Sequence, residues 1–138
     1  MPQATAEARP VGPPGYSQTM PRKPESAAAA RRFTDTALSC WGLEELADDC
    51  ALIVSELVAN SLRYARRDSI RVVVERTAPL AVRVAVTDFS RALPVERQVG
   101  DSDEGGRGLL LVAALASDWG TDDRRWGKVV WAELEGRG

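Results

Sequence analysis

The chain has 138 residues, 15.0 kDa, a net charge of −2 and not one histidine. Without imidazole there can be no Ser-His-Asp or Cys-His mechanism, no His-ligated metal and no phosphoryl transfer to a histidine of the chain itself; Cys40 and Cys50 alone cannot complete a tetrahedral zinc site. A pI near 5.2 gives no support for a nucleic-acid or anionic-membrane binder, and no stretch reaches the roughly 20 apolar residues that span a bilayer.

The length suits one domain with a real core. Met1 to Met20 lacks the apolar run of a secretory signal, and two cysteines without CxxC spacing suggest reduced core thiols. The expected setting is cytoplasmic. Pro2, Pro10, Pro13, Pro14, Pro21 and Pro24 crowd the first 24 residues, so that stretch is expected to be a flexible tail, with room for a short edge strand at 16–20. The domain proper is expected over 25–138, with Ser26 as N-cap of a helix from Ala27 to Trp41 that Gly42 closes.

A second helix is predicted from Leu43 to Ala65. Leu46, Cys50, Ile53 and Leu57 recur at helical spacing, and Val54, Val58 and Leu62 widen the stripe. Two strands follow, joined by a short turn at Thr77 to Pro79. Ile70, Val72 and Val74 alternate in the first; Leu80, Val82, Val84 and Val86 do so in the second. From Phe89 to Gly105 the pattern dissolves into polar residues, Pro and Gly, as in a lid or binding loop. Gly106-Arg-Gly-Leu109 then opens a nearly all-apolar helix, expected to be buried on all sides and to end at Ser117. Lys128 to Leu134 supplies a final strand. This order predicts an α+β fold, a two-layer α/β sandwich with helices on one face of a mixed, mainly antiparallel sheet.

Three groups of residues could carry chemistry. Glu56 and Asn60 lie one turn apart on the long helix, on a polar line with Asp49 and Arg63. They could be a carboxylate base beside a neutral oxygen ligand for Mg²⁺, or simply a solvated face. Asp88 continues the row of Val82, Val84 and Val86, so it either points inward or initiates a turn one residue beyond the strand. An inward carboxylate needs donors, and an adenine amino group is one. Gly105-Gly-Arg-Gly108 at a helix start offers bare N–H groups to an anion, although such entrances are common and no Walker A motif is present. Arg63, Arg66, Arg67 and Arg71 read as a solvated helix end or a small docking patch.

In combination these pieces resemble a family. Ser55-Glu-Leu-Val-Ala-Asn60-Ser-Leu-Arg-Tyr-Ala65 resembles the N box of the GHKL (Bergerat-fold) ATP-binding superfamily. Val86-Thr-Asp88-Phe-Ser90 looks like its G1 box, Gly106-Arg-Gly-Leu109 like its G2 box, and the interval between them like an ATP lid. Trp119-Gly120 and Gly127-Lys-Val-Val-Trp131 are similar to the short anti-sigma regulatory serine-kinase branch typical of actinobacteria. The resemblance spans roughly residues 25 to 135.

It implies that Asn60 holds Mg²⁺, that Glu56 is the general base, and that Asp88 and Ser90 belong to the adenine site. Gly106, Arg107, Gly108 and Leu109 would bring the lid and helix start to the phosphates. The implied activity is transfer of the γ-phosphoryl group of ATP to a serine of a STAS-type anti-anti-sigma protein, which in its unphosphorylated form frees a sequestered sigma factor. A homodimer is implied too, with neither nucleic acid nor membrane as a direct partner. The alternative is a non-catalytic, nucleotide-gated module that sequesters a regulator. Ser90 stands where the wider superfamily keeps Gly, and Tyr64 where His is frequent. Val129 stands where a Thr or Ser commonly assists adenine recognition through water, a loss of about 1 kcal/mol.

Overall fold

A computed structural model describes residues 7–8, 14–64, 68–89 and 109–136. Its elements are β1 (Glu7–Ala8), β2 (Gly15–Pro21), α1 (Ser26–Trp41), a short 3-10 turn (Glu44–Leu46), α2 (Ala47–Tyr64), β3 (Ser69–Ala78) and β4 (Ala81–Asp88), then β5 (Asp118–Arg124) and β6 (Gly127–Glu135). Residues 109–115 form a further helix, α3. The strands make one sheet in the order β1-β2-β3-β4-β6-β5. The result is the expected α+β sandwich. Every pairing among the described residues is antiparallel, so no parallel pair of the expected mixed sheet occurs there.

Alternation decides which side chains meet the helices. Val82, Val84 and Val86 of β4, Ile70, Val72 and Val74 of β3, and Val130, Ala132 and Leu134 of β6 are all buried in one cluster with α1 and α2. The helices contribute Leu38, Cys50, Ile53, Val54, Leu57 and Val58 to it. The stripe read from the spacing of α2 is therefore the face that packs on the sheet. Leu80 is an exception. It lies in the turn before β4 and is 42% exposed, because the strand begins at Ala81.

The opposite face carries longer side chains over small ones. Arg83 stacks on the Trp131 ring at 4.3 Å and approaches Glu133 at 3.9 Å. Trp131 in turn covers Gly120 on β5, where a Cβ would come within 2.9 Å of the ring. Ala85 and Thr87 are buried on this side too.

The helix ends differ in how they close. Gly42 adopts a left-handed φ of 71°. Its N–H bonds the Ser39 carbonyl, while the Leu43 N–H bonds that of Leu38. This is a Schellman motif with the apolar pair Leu38 and Leu43 buried beside it. At the other end Ser26 is the first helical residue rather than the N-cap, which is Glu25, with no side-chain capping bond. The Ser26 hydroxyl donates instead to the Pro21 carbonyl, and the Ser26 and Ala27 N–H groups find the carbonyls of Lys23 and Pro24. A turn of backbone replaces the side-chain cap.

The last helix also departs from expectation. Val112 is fully buried and Leu109 and Leu115 pack against the core, but Leu110 is 69% exposed. A single helical layer leaves each helix a solvent side, and alanines 113 and 114 occupy that side at little cost. No helix among the described residues is long and apolar enough to cross a membrane.

Candidate functional site

Glu56 and Asn60 sit on α2 at the margin of its buried stripe. Asn60 stands two turns beyond Ile53 and one turn beyond Leu57 at about 3.6 residues per turn, so it shares the edge of their face. Both polar side chains are half-buried while Ile53 and Leu57 are buried. Ser55 beside them accepts a hydrogen bond from Arg31 of α1 at 2.9 Å, which ties the two helices together here.

Asp88 closes β4 with its side chain inward. It is 5% exposed and shares the face of Val82, Val84 and Val86. The register extends this position into a row across the sheet: Met20 opposite Ile70, Ile70 opposite Asp88, Asp88 opposite Lys128, Lys128 opposite Asp123. Directly paired residues of antiparallel strands present their side chains to the same face. One end of the sheet thus carries acid, base and acid in succession beside an apolar half-row.

Contacts of the chain bring the end of α2 to that same margin. Pro21 pairs with Ser69, one residue before the row, and the Arg22 N–H donates to the Asp68 carbonyl. The Arg22 guanidinium then donates to the Leu62 carbonyl at 3.2 Å, in the last turn of α2. A cation on those carbonyls suits the negative end of the helix dipole. Asn60 lies two residues before Leu62 and so toward the end of the sandwich that carries the Asp88 row, with Glu56 one turn further back at the middle of α2.

Gly127, at the start of β6, lets that strand come close. A Cβ there would lie 3.0 Å from the Asp88 carbonyl carbon and the Phe89 Cα, and closer still to the Asp88 carbonyl oxygen. Phe89 leaves the strand with its ring 5.7 Å from that of Trp126, and the Arg71 guanidinium lies 5.9 Å from the Phe89 ring. Those contacts fix where the chain departs from β4. Ser90, Gly106, Arg107 and Gly108, and with them most of the expected lid at 89–105, lie outside the described residues. Leu109 is half-buried at the start of α3.

The donor set suits a nucleotide base better than a bare metal. The buried Asp88 carboxylate can only accept hydrogen bonds, and its two oxygens have room for more than one donor. Among the described residues no three His, Cys, Asp or Glu side chains gather as a metal cage.

Against known proteins, a profile of the family described as histidine kinase-like ATPase domain matches residues 20–134. The chain belongs to that family. It is thereby an ATP-binding module of the GHKL type, and the match runs from the end of β2 into β6 through Glu56, Asn60 and Asp88. A search of curated proteins finds no match. The family description names histidine kinases, yet these 138 residues contain no histidine, so the domain itself carries no phosphoryl-accepting imidazole.

One sequence expectation is corrected by the register. Val129 pairs with Thr87, on the sheet face away from the helices, whereas Lys128 pairs with Asp88. Val129 is therefore not the residue directly opposite Asp88. The residue overlooked was Lys128. Its signal was present in the alternation of Lys128, Val130, Ala132 and Leu134.

Proposed function

We propose that this ATP-binding domain is a protein serine/threonine kinase that phosphorylates a STAS-type anti-anti-sigma protein and so controls a sigma factor by partner switching. The observation that carries the reading is the placement of Glu56 and Asn60 one turn apart and half-buried at the margin of the buried stripe of α2, Asn60 toward the end of the sandwich that carries Asp88. A module that only bound nucleotide would have no use for a carboxylate in that position. The likeness of the three sequence boxes to the anti-sigma kinase branch supplies the partner class.

In this reading Asp88 accepts a hydrogen bond from the adenine amino group. The Asn60 side-chain oxygen would be the protein's ligand to Mg²⁺. Bound Mg²⁺ would offset the charge of the triphosphate, and it ordinarily draws most of its ligands from phosphate and water. Glu56 accepts the proton of the incoming serine hydroxyl and orients it. Gly106 and Gly108, with the Arg107 backbone, offer N–H groups to the phosphates, and Ser90 and Leu109 flank the base and the helix entrance. None of these steps requires imidazole.

The test is transfer of label from ATP to STAS proteins encoded near this chain. Glu56→Gln is expected to bind Mg-ATP normally by calorimetry and to transfer about 100-fold more slowly or worse. Asn60→Ala is expected to weaken Mg-ATP binding; equal affinity in both proteins would remove the Mg²⁺ assignment. If the wild type binds ATP and a cognate partner but moves no label, the domain is instead a nucleotide-gated sequestering module.

A further inference from the structure

We propose that Lys128 is a base-reading residue, donating to the ring N1 of adenine beside Asp88. The inference rests on the reading of Asp88 above and extends it to a residue with no assigned role. Lys23 and Lys128 are the only lysines in the chain, and Lys128 occupies the position directly across from Asp88 on the helix-covered face. Paired residues hold their Cβ atoms about 5 Å apart, and a lysine stem easily spans that interval. Gly127 holds the beginning of β6 against the Asp88 backbone, so the strand that carries Lys128 follows the end of β4 closely.

The chemistry of the two side chains is complementary. An ionised aspartate only accepts hydrogen bonds and a lysine ammonium only donates them. Adenine presents a donor, its N6 amino group, next to an acceptor, N1. An acceptor and a donor side by side match that edge in order. A carboxylate offers about four acceptor sites, so Asp88 can accept from Lys128 and from an amino group together. Asp123, across from Lys128 on its other side, balances the ammonium within the sheet. Half-buried lysine in this row has an opposite-charge residue across from it on either side, Asp88 and Asp123.

Calorimetric titration with Mg-ATP and with 1-deaza-ATP, which lacks the N1 acceptor, tests the proposal. Wild type is expected to prefer ATP about tenfold, the worth of one charge-assisted hydrogen bond. In Lys128→Met, ATP should bind about tenfold more weakly and the preference should fall to near one. Lys128→Thr serves if the Met variant folds poorly. Because the ratio of the two ligands is taken within one protein, a general loss of stability cancels from it. A tenfold preference retained in the lysine variants, or absent from wild type, overturns the proposal. Asp88→Asn separates the failures. If it loses ATP binding while the lysine variants keep the preference, only the Lys128 role is wrong; if it binds ATP as wild type does, both assignments fall.

Discussion

Cys50 and Cys40 lie on adjacent helices in very different surroundings. Cys40 is exposed, whereas burial pushes the Cys50 thiol from 9.0 up to about 12, a rise opposed by a hydrogen bond with Thr34 and reinforced by Asp35 and Asp49. Burial disfavours the thiolate, so the native state keeps a proton that the unfolded chain gives up above 9.0. Stability should therefore be unaffected by this group below pH 9.0 and fall as the pH rises toward 12, by about 1.4 kcal/mol per pH unit within that window. Denaturant titrations from pH 8 to 11 on wild type and Cys50→Ala will check this; the variant should lose the extra slope. At this scale the sequence was legible wherever alternation sufficed. Alternation left Asp88 either inward or opening a turn, and the strand's extent to Asp88 decides for inward, because side-chain direction is then a local property of the strand. Alternation likewise put Lys128 on the inner face of its strand. That it stands directly opposite Asp88 takes a pairing register between strands some 40 residues apart.

Elements were best read where their ends have local causes. Gly42 is an example, because a left-handed residue after an apolar helical pattern closes a helix by its own geometry. Gly42→Ala should destabilise the protein by about 1–2 kcal/mol, seen as a lower urea midpoint at unchanged slope. No neighbouring atom lies within 4 Å of a Cβ there, so the loss would come from backbone conformation rather than from a clash. An undiminished midpoint would show that the chain can close α1 another way. The start of α1 was misread for the opposite reason. Ser26 has a capping residue's chemistry, but β2 ends at Pro21 within reach of its hydroxyl, and the preceding turn already satisfies the first N–H groups. The exposed Leu110 on α3 has a similar origin, since composition says that a helix is apolar and only its neighbours say how much of it is covered.

For the whole molecule, the N-terminal strand matters more than its proline-rich surroundings suggest. β2 pairs with β3 along its entire length, contributes Met20 to the core, and stacks Tyr16 on Trp41 of α1 at 5.7 Å. It also delivers Arg22 to the end of α2. Deleting residues 1–21 should cost several kcal/mol and leave the long strand β3 as an unpaired edge. Thermal melts should then show a midpoint more than about 10 °C lower, and sedimentation should show association. A melt indistinguishable from wild type would mean that β2 is dispensable.

The sequence by itself determined the two-layer architecture, the buried stripe of α2, the row that Asp88 continues and the absence of imidazole from these 138 residues. All of these follow from period, composition or the chemistry of single residues. The tertiary structure decided what no period contains: that the sheet continues through β2, that Arg22 seals α2, and that acid, lysine and acid share one row. Those facts depend on register between distant segments, which is set by burial of whole faces and not by local preference. The absent histidine thus limits the chemistry of these residues, while the row at the end of the sheet is the proposed place for adenine.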